Sequence, residues 1–331
     1  MIDAGTPLLE VTDLKIEFRS GRETVYAVNG ASFSIRPGET AAILGESGSG
    51  KSVTASAVMR LLQCPPAVVA GGAVRFKGDD VLAMPIAQWR RRCGREIAMV
   101  FQDALAALNP VFSVGWQIGE LFRAHGERNG KDAHARAVEL LARVGIPDPD
   151  NRARDYPHQF SGGMRQRVMI AMAIALGPDL LIADEPTTAL DVTVQAQIMD
   201  LLQDLQKEIG MAVVLITHDL GVVAEVADHV AVMYAGRVVE RGKVRDVLGT
   251  PAHPYTLALL DSVPQVEESG RKLRPIIGSP PDMAAVPSGC AFHPRCRFAT
   301  AVCRTAQPPK IVLAPGRAAE CHHAERVFHG G

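Results

Sequence analysis

Short apolar runs with a period of two open the chain. Leu8 to Val11 and Leu14 to Phe18 alternate apolar and polar positions, and Ala31 to Ile35 repeats the pattern. This predicts strands of a mostly antiparallel sheet. Arg36-Pro37-Gly38 then turns the chain into Glu39 to Leu44, a short apolar strand, and Val53 to Leu62 reads as a helix. Val74 to Phe76 and Ile97 to Phe101 add strands. From Asp103 to Leu176 the spacing becomes helical: Ala137, Leu140, Leu141 and Val144 share one face, closed by Gly145 and Pro147. Continuous apolar strands return at Leu180 to Ala183 and Ala212 to Ile216, separated by a long helix from Val194 to Ile209. That β-α-β order predicts a parallel sheet covered on both faces, with any nucleotide at its carboxyl edge. After Leu260 proline and glycine dominate and long apolar runs stop, which places a domain boundary near Asp261. The expected organisation is an α/β domain over residues 1–260, with an inserted helical subdomain over about 103–178, followed by a small domain over 261–331.

Composition narrows the partners. With 331 residues, 47% apolar and 21% charged, the chain can bury a sizeable core, and 35 basic against 36 acidic residues give no electrostatic footprint for nucleic acid. The longest apolar stretch, Val168 to Leu176, is closed by Gly177-Pro178-Asp179 and falls short of the ~20 residues that a membrane span needs. Met1 to Gly5 lacks the basic start and apolar run of a signal peptide, so a cytosolic, reducing location is expected. Six cysteines then need a reason other than disulfides, and four of them lie after residue 289.

The densest chemistry is Gly45-Glu46-Ser47-Gly48-Ser49-Gly50-Lys51-Ser52, which matches G-x-x-x-x-G-K-[ST] between a strand and a helix. Glycines free backbone N–H groups to wrap a polyphosphate, and the following helix points its positive end at the same oxygens. Lys51 supplies a charge for the β- and γ-phosphates, and Ser52 a hydroxyl for Mg²⁺. The strand Leu180 to Ala183 delivers two acids, Asp184 and Glu185, in the manner of a Walker B motif. Neighbouring strand residues face opposite ways, so one acid is expected at Mg²⁺ and the other at a water opposite the γ-phosphate.

Phe160-Ser161-Gly162-Gly163-Met164 resembles the signature motif of ATP-binding cassette ATPases, departing from its commonest form at Phe160 and Met164 but keeping Ser161, Gly162 and Gly163. Gln102 in Val100-Phe101-Gln102-Asp103 resembles the Q-loop, Ala189-Leu190-Asp191 the D-loop, and His218 in Ile216-Thr217-His218-Asp219 the switch histidine. The resemblance covers residues ~8 to 260 and implies a P-loop NTPase fold with an antiparallel subdomain. It implies ATP hydrolysis with Glu185, His218 and Gln102 in catalysis, and Ser52, Gln102 and Asp184 at Mg²⁺. Further ATP contacts are implied for Asp191 and for an aromatic ring stacking on adenine, either Phe18 or Tyr26. Because Ser161 and Gly163 belong to the helical subdomain, a head-to-tail pair of cassettes is implied, each ATP clamped between one P-loop and the other chain's signature.

Tyr156-Pro157-His158-Gln159-Phe160, the run Leu180 to Asp191 and His253-Pro254-Tyr255-Thr256 resemble the ATPases of dipeptide and oligopeptide permeases, a subgroup that includes nickel and glutathione importers. The resemblance implies a peripheral motor at the cytoplasmic face of the inner membrane. Its implied partners are a related but different second ATPase chain, two membrane-spanning permease subunits and, indirectly, an extracytoplasmic solute-binding protein. A soluble cassette ATPase acting on nucleic acid or ribosomes is the alternative, and neither fused cassettes nor a basic face favours it. One departure is Ala104-Leu105-Ala106-Ala107, where relatives often carry Pro and Ser or Thr.

Cys290, Cys296, Cys303 and Cys321 are spaced C-x5-C-x6-C-x17-C. Four thiols at loop spacing in a reducing compartment suit a metal site that staples a segment poor in apolar residues. The subgroup resemblance implies a [4Fe–4S] cluster. A Cys₄ zinc site, with His293, His322 and His323 as alternative ligands, and no metal at all stay open. Cys64 and Cys93 read as ordinary thiols.

Overall fold

The computed structural model describes residues 6–21, 23–126, 130–188, 190–262 and 275–328, so Met1 to Gly5 and Ala189 lie outside the described residues. The chain divides into two compact units, one of residues 1–35, 40–82 and 217–331, the other of residues 36–39 and 83–216.

In the first unit an antiparallel sheet runs in the order Glu23–Ile35, Leu9–Ser20, Ala67–Phe76, Asp79–Asp80. The two alternating runs that open the sequence are one strand. Leu9 and Val11 are buried, then Leu14 and Ile16, and the phase is restored by a bulge between Val11 and Leu14 where Asp13 takes φ 47°. The opposing Gly72 has φ 86°, and a Cβ there would stand 2.4 Å from the Asp13 carbonyl oxygen, so the bulge is matched to a glycine. The second sheet of this unit begins with Thr40–Leu44, every residue of it buried, in parallel register with His229–Tyr234. Arg237–Lys243, Arg317–Glu320 and Lys310–Ala314 follow in antiparallel pairing.

Residues beyond 261 therefore add two strands to this sheet, and Phe292 joins its core with Leu44, Val232, Tyr234, Val247 and Tyr255. A smaller cluster gathers Ala252, Ala319, Cys321 and Ala324. The helix after the P-loop runs Lys51–Val58, shorter than the apolar run to Leu62 suggested. Arg60 takes φ 54° just beyond it, a left-handed break, and its guanidinium donates to the Val81 carbonyl at 3.1 Å.

In the second unit Ile97–Val100, Leu180–Asp184 and Ala212–Thr217 pair in parallel, with Ile97 opposite Leu180 and Leu180 opposite Ala212. All residues of these strands are buried, as their unbroken apolar runs require when both faces are covered. The helices Val114–Ala124, Gly130–Arg143, Gly162–Ile174 and Val192–Ile209 account for the helical periodicity, and Ala137, Leu140, Leu141 and Val144 are buried as the spacing predicts. Ala104–Ala107 forms a single helical turn capped by Asp103, whose carboxylate accepts from the N–H groups of Leu105 and Ala106. Among the described residues no helix is long and apolar enough to cross a membrane.

Candidate active site

In the first unit the buried strand Thr40–Leu44 ends at Gly45, where an added Cβ would meet the Met233 carbonyl oxygen at 2.3 Å. Gly50, at φ 99°, closes the loop, and a Cβ there would stand 2.4 Å from the Ala27 carbonyl oxygen. The backbone thus passes too close to its neighbours for any other residue at these two points. Gly50 also occupies the N-cap of Lys51–Val58 without a side-chain cap, so no side chain competes for the first N–H groups of that helix.

Lys51 is buried, 4% exposed, and its Nζ donates to the carbonyls of Gly45 at 2.8 Å and Glu46 at 3.0 Å. Those bonds bend the loop around the ammonium group. The buried Ser49 hydroxyl has no hydrogen-bond partner, a polar atom left open within the cradle. The Glu46 N–H donates to the Tyr255 hydroxyl at 2.9 Å, and its carboxylate accepts from Arg295. Ser47 and Gly48 are exposed at the tip of the loop, and Ser52 is half-buried in the first turn of the helix.

His218 is exposed directly after Ala212–Thr217 and is followed by Asp219, which caps Leu220–Val226 through the N–H groups of Gly221 and Val222. Tyr26 and Phe18 lie on the two paired strands of the antiparallel sheet. Tyr26 is exposed, Phe18 half-buried, and the backbone N–H of Tyr26 donates to the Met283 carbonyl at 3.0 Å.

In the second unit Asp184 ends its strand, 5% exposed. Glu185 is not the next residue of that strand. It takes φ 44°, and its N–H donates to the Ile216 carbonyl at 2.9 Å. The two carboxylates are therefore separated by a left-handed backbone rather than by strand alternation, a strain of about 1–3 kcal/mol of the kind that collects at functional positions. Glu185 Oε2 accepts from Gln102 Nε2 at 3.1 Å and from the Thr188 hydroxyl at 2.9 Å. Thr188 was not singled out by any motif. Ser161 is the N-cap of Gly162–Ile174, its hydroxyl accepting from the Met164 N–H at 3.3 Å, and a Cβ on Gly163 would meet Val194 Cγ1 at 2.7 Å. Asp191 caps Val192–Ile209 by accepting from the Val194 N–H at 2.9 Å.

A family model described as ABC transporter matches residues 28–188, and one described as the C-terminal region of oligopeptide/dipeptide transporters matches residues 239–303. An ATP-binding protein of Brucella melitensis named for peptide import is 48% identical over 326 residues, 95% of this chain and 96% of that one. The oligopeptide transport ATP-binding protein OppD of Bacillus subtilis is 51% identical over 310 residues, 93% of this chain and 87% of that one. The chain is an ABC transporter ATPase. Among solved structures, a dimeric post-hydrolysis state of the ATP-binding cassette MJ0796 with ADP and Pi matches with a TM-score of 0.64 at 28% identity, over 72% of this chain and 99% of that one. The cassette cbiO1 of Clostridium perfringens, part of the cbiONQ transporter complex, matches with a TM-score of 0.61 at 29% identity, over 73% and 91%.

In this ABC ATPase all six cysteines are free, with Cys303 and Cys321 buried, Cys290 and Cys296 half-buried and Cys64 exposed. The Cys290 N–H donates to the Cys303 carbonyl at 2.8 Å. Burial pushes the thiols up, Cys296 to about 11 and Cys321 to about 12, and neighbouring cysteines push the same way: Cys290 and Cys303 on Cys296, all three on Cys321. The expected metal ligation is nevertheless not in place, since among the described residues no group of three or more His, Cys, Asp or Glu is arranged to hold a metal ion. Local polar contacts occupy the candidate donors instead. Cys303 Sγ lies 3.6 Å from the Thr300 hydroxyl and 3.7 Å from His323 Nε2, and Cys321 Sγ accepts from the His323 N–H at 3.3 Å. His293 Nδ1 lies 3.0 Å from the Cys290 carbonyl oxygen, and His322 Nε2 lies 3.0 Å from that of Ala306.

Proposed function

We propose that this ATPase drives import of di- or oligopeptides, working at the cytoplasmic face of the membrane beneath two membrane-spanning subunits that receive peptide from an extracytoplasmic binding protein. The observation that carries the reading is the pairing of a cassette with the C-terminal region of oligopeptide/dipeptide transporters, in a chain 51% identical to an oligopeptide transport protein. Residues 1–260 form the nucleotide-binding domain and 261–331 the extension. Two cassettes make the working unit, the second being a related but different chain. Peptide uptake in a strain lacking this chain is the test. Lost uptake of a labelled oligopeptide, restored by the gene, is expected, whereas intact peptide uptake with lost nickel or glutathione uptake would reassign the solute.

For hydrolysis, the loop Gly45 to Ser52 holds the phosphates, Lys51 meets the β- and γ-phosphates, and adenine stacks on an aromatic ring. Supporting Tyr26 over Phe18 is its exposure, one residue from the Ala27 carbonyl that abuts Gly50. Glu185 takes the proton of a water whose oxygen attacks the γ-phosphorus, and the bond from that phosphorus to the ADP oxygen breaks to release phosphate. Gln102 and Thr188 hold the Glu185 carboxylate, and His218 donates to the γ-phosphate. Ser52, Gln102 and Asp184 would hold Mg²⁺, which when bound neutralises charge on the phosphate oxygens. Ser161, Gly162 and Gly163 serve the ATP of the second cassette at the N-terminus of Gly162–Ile174, with Asp191 on the D-loop capping the helix whose Val194 approaches Gly163.

A [4Fe–4S] cluster, with zinc the alternative occupant, would be held by Cys290, Cys296, Cys303 and Cys321, whose thiols at Cys303 and Cys321 are engaged in local polar contacts instead. What supports it is the donor set: four free thiols, whose neighbours add to the burial that pushes Cys296 and Cys321 up, suit a cation that neutralises thiolates. Anaerobically purified protein should be brown with matched iron and sulfide. Colourless protein with stoichiometric zinc would replace the cluster with zinc.

A further inference from the structure

A loop that receives a polyphosphate here carries a carboxylate. Glu46 is the second residue of the phosphate loop, and an uncompensated charge there opposes the triphosphate. Its counter-charge comes from 249 residues further along the chain. Arg295 donates from Nη1 to Glu46 Oε2 at 2.7 Å and from Nη2 to Oε1 at 3.0 Å, a two-pronged pair in which the arginine side chain is 5% exposed and the glutamate 26%. Aromatic rings enclose it. Tyr234, Tyr255 and Phe292 pack on one another with centroids 4.6 to 5.4 Å apart, and the Tyr234 hydroxyl accepts from Arg295 Nη1 at 3.4 Å. Tyr255 also accepts the Glu46 N–H, so side chain and backbone of this one loop residue are held by the same cluster.

The arginine is itself fixed by the C-terminal segment. It ends the short turn His293–Arg295, lies directly before Cys296, and donates from Nε to the Ile277 carbonyl at 3.2 Å. The lysine of the loop donates to the backbone carbonyl of the same residue, Glu46, whose carboxylate Arg295 holds.

We propose that Arg295 is a positioning residue for ATP binding: it supplies the counter-charge that lets the carboxylate-bearing loop accept a triphosphate, which makes nucleotide affinity depend on the C-terminal segment. This rests on reading residues 45–52 as the ATP phosphate loop. A buried pair broken on one side leaves the remaining charge unpaired, so the two single substitutions should act in opposite directions. A pair that merely braced the fold would weaken binding whichever partner was lost.

The test is equilibrium binding of Mg-ATP to the full-length chain carrying R295Q, E46Q or both, with K51A as reference. R295Q should weaken ATP binding about tenfold, and raising the salt from 0.05 to 0.5 M should shrink that deficit. E46Q should strengthen binding severalfold, and the double variant, with a neutral pair, should return to within about threefold of wild type. Should R295Q alone fail to fold, the opposed behaviour of E46Q and the double variant still decides. Weakened binding in both single variants, or an R295Q deficit that E46Q does not relieve, would overturn the role of Arg295. If K51A also binds ATP like wild type, it is the reading of the loop that fails.

Discussion

The phosphate loop and the segment that carries Glu185 are built on opposite plans. The loop is fixed by backbone proximity: Gly45 and Gly50 pass within a side chain's width of the Met233 and Ala27 carbonyls, Lys51 is buried in the loop's own carbonyls, and Glu46 is gripped by Tyr255 and Arg295. The Glu185 segment is held by a left-handed residue and by two side-chain bonds at one carboxylate oxygen, from groups that are exposed. On the proposed roles the difference means that phosphate binding is preorganised, while the acid proposed for hydrolysis sits in contacts that a nucleotide and a water can exchange. Binding and turnover should therefore be separable by mutation.

The largest effect is expected on the acid. Glu185→Gln keeps the shape and removes the proposed base, so turnover in the assembled transporter should fall about 10²–10⁴-fold, measured as phosphate release. Next comes the loop itself. Gly50→Ala places a methyl group 2.4 Å from a backbone oxygen at φ 99°, and about 1–3 kcal/mol of strain should weaken ATP binding by about 10–100-fold, read by calorimetric titration. Thr188→Val removes a hydrogen bond to Glu185 Oε2 and should slow turnover about five- to tenfold with ATP affinity unchanged.

The motif residues were legible because their chemistry is local: G-x-x-x-x-G-K-S, the acids after Leu180–Asp184 and the N-cap Ser161 each declare themselves within a few positions. What positions them was not. Tyr255 and Arg295 reach Glu46 across 209 and 249 residues, and no periodicity reports a contact of that span. Asp13 hid a bulge, because an extra residue in an alternating pattern looks like the end of one strand and the start of another. Thr188 lay inside the run Leu180 to Asp191 with no role of its own assigned to it. Strand alternation was the expectation at Asp184 and Glu185, and it cannot anticipate a residue that leaves the strand with φ 44°.

One further effect is read in stability rather than in turnover, on the far side of the core that holds Tyr255. His253 caps Pro254–Asp261 by accepting from the Tyr255 N–H at 3.0 Å, and burial pushes it down to about 3 from an ordinary value near 6.5. A folded-state value below the unfolded one means the histidine's contribution is complete above pH 6.5 and is lost as the pH falls towards 3, by about 1.4 kcal/mol per pH unit within that window. His253→Asn, which keeps an acceptor at the cap, should flatten that part of the stability curve between pH 6 and 4 in denaturant titrations.

Equilibrium ATP binding by Glu185→Gln puts the contrast between loop and acid to its most direct test. Affinity within about twofold of wild type, with ATP recovered intact from the complex, is the expected result, because preorganised binding does not draw on the base. Affinity lost in parallel with turnover would contradict it, and would mean that ATP binding draws on Glu185.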